Sequence, residues 1–185
     1  MFKSKKGTYG YIKSQRKIEI VKTIVMLALS FGLYNLGVYS VGSNKNLLTL
    51  VAVLGCLPMA KFCVNAIMFS KAKGCSKELH DNLEARGLSP DFYDLYFTAF
   101  KKNYQASALS YKRKNLIIMS EDPSIDTAEG EEHLKAVLSN AGASDVTVKI
   151  FTDAGKFMDR LSDLKDLEED SKTDFIKDNI LSVSL

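Results

Sequence analysis

The sequence predicts an N-terminal two-helix transmembrane hairpin followed by a small α/β domain with a mixed sheet. Three observations carry this reading: two long apolar runs near the N-terminus, a reversal of charge just after them, and a downstream succession of strand-like and helix-like patterns. Residues 1–73 hold eleven Lys or Arg against Glu19 alone, a balance of +10, while residues 74–185 hold fourteen basic against twenty-one acidic side chains, a balance of −7. The total of +3 is therefore a cancellation between unlike halves. The first half is read as a basic segment plus hairpin, and the second as a cytosolic domain with an acidic tail.

The first span rests on Thr23 to Asn44, twenty-two residues without a charge. At roughly 1.5 Å per residue they make about 33 Å of helix, enough to cross a hydrocarbon core of about 30 Å. After Lys45, Asn46 to Ser70 gives twenty-five residues in which Lys61 is the only charge. With so short a link the two spans, about 20–42 and 46–69, form an antiparallel hairpin. A cleaved signal peptide is the rival reading, but the run exceeds the usual signal core of about 7 to 15 residues, and a second apolar segment follows at once.

Orientation follows from the flanks. Lys3, Lys5, Lys6, Lys13, Arg16, Lys17 and Lys22 precede the first span, and Lys71, Lys73 and Lys77 follow the second. The connecting loop holds only Lys45, so the positive-inside rule puts both termini in the cytoplasm of a cell-membrane protein. Lys3, Lys5, Lys6, Lys13, Arg16 and Lys17 are also candidates for contact with anionic lipid. An impermeant thiol reagent applied to intact cells should then miss Cys75.

Lys61 is the unusual residue. With a turn near Asn44 it falls level with Leu27, where neither span offers an acidic partner. Helical side chains lean toward their own N-terminus, which here points away from the cytoplasm, so snorkelling works against the lean. Asn65 follows one turn later on the same face, and Pro58 removes one backbone hydrogen bond and favours a kink. Lys61 and Asn65 are read as a candidate helix interface, with Ala28 and Gly32 as a small-xxx-small pair and Ala52 and Gly55 as a second small face. The three cysteines, Cys56, Cys63 and Cys75, are too few and too clustered for a disulfide framework.

The second half predicts the order α-β-β-β-α-β-α. Lys77 to Arg86 reads as a helix with Leu79 and Leu83 on one side, stopped by Gly87 and Pro90. Asp94 to Lys102 is aromatic and strand-like, and Ala106 to Ser120 reads as a hairpin turning at Lys112 to Asn115. Asp126 with Glu129 marks a helix start, and Leu134, Val137, Leu138 and Ala141 recur at helical spacing. Val146, Val148 and Ile150 alternate as a strand, and Phe157, Leu161 and Leu164 line a last helix. The acidic LEED run follows, with a tail that is helical or loose. Strand, helix and strand in succession make a parallel crossover, hence a mixed sheet.

This order resembles the restriction-endonuclease-like core over about residues 76–168. The resemblance implies an acidic residue and a D/E-x-K motif on neighbouring strands, holding metal and activating water. Asp94 matches the first acid. The third strand reads LIIMS, Leu116 to Ser120, without carboxylate or lysine, and Glu121 and Asp122 lie beyond it. The resemblance therefore implies a degenerate site. With DLYFTAFKK and VTVKIFTD, the chain also resembles uncharacterised two-span membrane proteins of Gram-positive bacteria carrying a small cytosolic α/β domain.

Other chemistry has little support. His80 with Glu84, and Glu129 with His133, have the spacing of a helical metal clamp, but both pairs lie among charges typical of a solvated face. There is no G-x-S-x-G elbow and no Gly-rich phosphate loop. The basic Lys112 to Lys114 tip is read as a soluble cap on a sheet edge, since the domain's negative balance opposes nucleic acid. The expectation is a non-catalytic binding or scaffold module without metal or cofactor, with membrane lipid and a protein partner or a second copy as partners. The alternatives are a subunit of a larger membrane assembly and a membrane-tethered enzyme with a degenerate nuclease-like site.

Overall fold

Helix α1 runs from Tyr11 to Val41 and ends at Gly42, whose φ of +66° and N–H to the Val38 carbonyl at 2.8 Å close the last turn. Helix α2, Leu47–Lys71, starts on Asn46, whose side chain accepts the Thr49 N–H at 2.8 Å, and it continues through Pro58. In this computed structural model the described residues are 5–43, 45–98, 102–165, 167 and 172–185. Both helices are long and apolar enough to cross a membrane, and little of their most apolar stretches is buried.

The chain divides into two units. One is the hairpin, residues 13–72; the other joins residues 73–185 to the described residues 5–12. Residues 5–12, read from sequence as part of the hairpin half, thus belong with the α/β unit.

Within the hairpin, glycines mark where the helices meet. A Cβ on Gly55 would lie 2.7 Å from Ser30 Oγ, and one on Gly37 would lie 2.6 Å from Asn46 Oδ1 and 2.9 Å from Leu48 Cβ. The Asn65 amide faces the Glu19 carboxylate at 3.5 Å. Interpolating between the Ser30–Gly55 and Glu19–Asn65 contacts puts Lys61 level with Thr23 and Ile24, about one turn nearer the helix ends than Leu27. The reason is that α1 stops at Val41, so the chain reverses earlier than a turn at Asn44 would require.

The second unit begins with α3, Lys77–Ala85, capped by Ser76. Strands β1, Phe92–Phe97, β2, Tyr104–Lys112, and β3, Asn115–Met119, follow as an antiparallel meander. Arg113 and Lys114 make the two-residue β2–β3 turn with φ of +41° and +67°, the left-handed pair that matches strand twist. Helix α4, Thr127–Asn140, starts on Asp126, whose carboxylate accepts the Glu129 N–H at 3.1 Å. Strand β4, Thr147–Phe151, then pairs parallel to β3, giving the mixed sheet in the order β1-β2-β3-β4. Helices α5, Ala154–Lys165, and α6, Thr173–Val183, complete the unit; α6 answers the question left by the tail, and the LEED run lies largely outside the described residues.

Both faces of the sheet are covered. Leu95, Leu109, Leu116, Ile118 and Ile150 pack with Leu134 and Leu138 of α4 and Ile176 and Ile180 of α6. Ala108, Ile117 and Met119 pack with Leu79 and Leu83 of α3 and Phe157, Leu161 and Leu164 of α5. That is why LIIM is apolar at every position: a strand buried on two faces has no polar alternation.

Candidate functional site at the first strand

Two chain segments, residues 5–10 leading into α1 and residues 73–76 leaving α2, are pinned to neighbouring residues of β1. Tyr93 donates its N–H to the Gly7 carbonyl at 2.8 Å. Gly7 has φ of +83°, and a Cβ there would lie 2.7 Å from the Phe92 ring, so only glycine fits. On the other side the buried Asp94 carboxylate accepts the Cys75 N–H. Gly74 passes so close that a Cβ would lie 2.9 Å from Asp94 Oδ1. Glu121, just past β3, accepts the Ser76 N–H at 2.9 Å.

Asp94 achieves this with a left-handed backbone, φ +55°, inside a strand. Phe92 packs in the core on the α4 and α6 side, Tyr93 in the core on the α3 and α5 side, and Leu95 and Phe97 return to the first. In a regular strand Tyr93 and Leu95 would share a face. The backbone turn at Asp94 exchanges the faces, an arrangement costly for a non-glycine residue and tolerated best by Asn and Asp.

Aromatic rings close the joint. Tyr9 lies on His80 with ring centroids 3.9 Å apart, and Tyr93 is 5.4 Å from His80 and 6.2 Å from Tyr9. Burial first, then negative charge at Cys75 and Glu84, pushes the Tyr93 hydroxyl up to about 12. Burial likewise raises Tyr9, helped by Cys75, Asp81, Asp94 and Glu121. Both phenols stay neutral donors at ordinary pH. The outer side of β1 is engaged further along by Leu185, whose N–H reaches the Tyr96 carbonyl at 2.8 Å, and by a bridge between Phe97 and Ser184. A groove of about 630 Å³ opens beside His80, Glu84, Pro90 and Tyr93.

The metal-clamp spacing is realised only in part. His80, Asp81 and Glu84 offer ligand atoms within 4.8 Å of one another. However, Asp81 lies 3.8 Å from Nδ1 and Glu84 lies 3.9 Å from Nε2, so the carboxylates flank opposite ring nitrogens. His133 stacks on Tyr104 at 5.7 Å. The acids raised by the nuclease resemblance are spent on backbone: Asp94 on Cys75, Glu121 on Ser76, and Asp122 on Ser124, whose N–H and hydroxyl hold its pKa down.

In the hairpin, Asn65 joins Glu19, whose other oxygen takes Lys22 at 2.6 Å. Lys61 is exposed and has no ion-pair partner among the described residues. Ala28 and Gly32 are exposed on α1, away from Ser30 and Gly37, which meet α2. Of the basic residues, Lys5, Lys13 and Lys17 are exposed and Arg16 is half-buried, whereas Lys6 donates to the Ser184 carbonyl at 2.5 Å and burial lowers its pKa. Lys3 lies outside the described residues. Cys75 is buried, so its failure to react with a thiol reagent would carry no topological information. Sequence patterning does not reveal this arrangement, because its partners are spread from Gly7 to Glu121; Gly74 before Cys75 and Asp94 within an aromatic strand are the marks it leaves.

No protein-family model, curated protein or solved structure matches this chain.

Proposed function

We propose that this chain is an integral membrane protein with two spans and both termini cytoplasmic, holding its α/β unit at the membrane surface as a non-catalytic binding module. The observation that carries it is the hairpin: its outward face is apolar from Ile24 to Leu57, and the basic residues gather beyond the open end. Lys5, Lys13, Arg16 and Lys17 add attraction to anionic lipid of about 1 kcal/mol each near the surface. A binding role is supported by the fate of Asp94, Glu121 and Asp122, each engaged by backbone N–H groups rather than presented to a substrate. The groove beside His80, Glu84 and Tyr93 is the partner site.

The test uses single cysteines in a chain carrying Cys56→Ala and Cys63→Ala. In intact cells an impermeant maleimide should label Ser43→Cys in the connecting loop and miss Ser144→Cys; the reverse pattern would overturn the orientation. From mild detergent, a protein that co-purifies with the wild type should be lost with Glu84→Lys. Retention of the same partner by that variant would move the site elsewhere.

A further inference from the structure

Strand β2 places small residues beneath α5. Ala108, Ser110 and Lys112 share one face of the strand by alternation, and Ala108 lies in the core with Phe157, Leu161 and Leu164 of α5. Beyond Ala108 the serine fills little of the space between strand and helix, and a cavity of about 190 Å³ remains. The buried Leu88, Leu161 and Leu164 give it apolar walls. Lys112 and Lys165 line it as well, and among the described residues no carboxylate does.

The charges around the cavity are arranged so that the two lysines are not cancelled by its surroundings. Ser110 is buried and donates its hydroxyl to Asp91 at 2.7 Å, and the other Asp91 oxygen is taken by Lys177 at 2.7 Å. Asp159 of α5 is held by Arg86 at 3.1 Å, and Asp163 faces Arg160 at 3.9 Å. Lys165 donates to the Gly87 carbonyl at 3.1 Å, which ties its ammonium to the cavity wall. Two ammonium groups thus stand over an apolar hollow in a half of the chain whose overall balance is negative.

We propose that this cavity binds a small organic anion with a short alkyl chain, its carboxylate held by Lys112 and Lys165 and its chain lying against Leu88, Leu161 and Leu164. Charge-assisted hydrogen bonds from two ammonium groups suit a carboxylate, and each methylene taken out of water adds about a fourfold gain in affinity. The volume sets the size, since it falls below the roughly 300 Å³ of a drug-sized site. A bare inorganic anion would leave the leucines wet, and a neutral alcohol would leave the lysines without a counter-charge. The cavity is distinct from the groove beside His80, with which it shares Gly87, Leu88 and Ser89 as a common wall.

The experiment uses the full-length chain carrying Cys56→Ala and Cys63→Ala in phosphatidylcholine nanodiscs. Ser89→Cys, exposed at the rim, reports by its rate of reaction with a maleimide as octanoate is added. Octanoate at about millimolar concentration should slow the reaction about fivefold or more, and acetate and octanol at the same concentration should not. Lys112→Gln and Lys165→Gln should each raise the octanoate concentration required about tenfold. Lys165 is exposed, so its replacement leaves the fold in place. Octanol protecting as well as octanoate, or protection unchanged by Lys165→Gln, would overturn the proposal. So would equal slowing of Ser144→Cys, which lies away from the cavity, or protection lost with Glu84→Lys, which would place the anion in the groove beside His80.

Discussion

In the α/β unit Leu109, Leu116, Ile118 and Phe157 are buried and most charged side chains, Asp94 apart, face outward, whereas in the hairpin Leu27, Phe31, Leu54 and Leu57 face outward. Phe69 apart, what the hairpin buries most fully is small or polar: Ser30 against Gly55, Gly37 against Asn46, and Glu19 between Lys22 and Asn65. The same residue types are sorted in opposite directions, as the proposed membrane setting of the hairpin requires. In water, burying a leucine yields a gain in proportion to its area. In hydrocarbon that gain vanishes, and helices meet where small residues permit close approach and polar groups satisfy one another.

The largest expected effect breaks this contrast directly. Leu109→Ala opens a hole in a fully buried site and should destabilise the α/β unit by about 2–5 kcal/mol. Leu27→Ala, on the outer face of α1, should change the thermal unfolding of the detergent-solubilised chain by less than about 1 kcal/mol. Equal losses at both positions would mean that the hairpin face is covered by protein.

Next in size is Asp94. Asp94→Ala removes the acceptor of a buried N–H and places alanine at a left-handed φ, for a cost of about 2–3 kcal/mol in denaturant unfolding. Asp94→Asn keeps an acceptor and a residue tolerant of that backbone, so it should retain most of the stability. If the asparagine variant is as damaged as the alanine one, the carboxylate charge rather than the hydrogen bond holds the joint.

Much of the fold is legible from residue patterns because the signals are local. Asp126 three residues before Glu129, Val146, Val148 and Ile150 alternating, and Leu134 with Leu138 one turn apart each specify an element without help from the rest of the chain. Asp94 is different. Aromatic residues mark a strand over Asp94 to Lys102, which overlaps the observed Phe92–Phe97 only in part, and nothing in those letters announces a left-handed residue that exchanges the two faces. The docking of residues 5–10 was equally hidden, because Lys5, Lys6 and Lys13 read as a topology signal, and Gly7 reveals its purpose only once Phe92 is beside it. The level of Lys61 depended on where the hairpin turns, a matter of α1 ending at Gly42 rather than of hydropathy.

The smallest expected effect probes the joint by pH. Tyr93 has an ordinary value of 10.0 and is pushed up to about 12 in the folded chain, chiefly by burial. Its folded value is the higher one, so the stabilisation is fully present below pH 10. As pH rises from 10 toward 12 the unfolded chain loses this proton first, and the folded state loses ground across that window. Tyr9 and Tyr104 are raised in the same direction and contribute to the same fall. Denaturant unfolding at pH 9, 10 and 11 should show the decline in the wild type and a shallower one in Tyr93→Phe, with tyrosinate absorbance rising late in the folded wild type. An identical decline in both chains would place Tyr93 in contact with water, and the aromatic closure of the joint by Tyr9, His80 and Tyr93 would have to be abandoned.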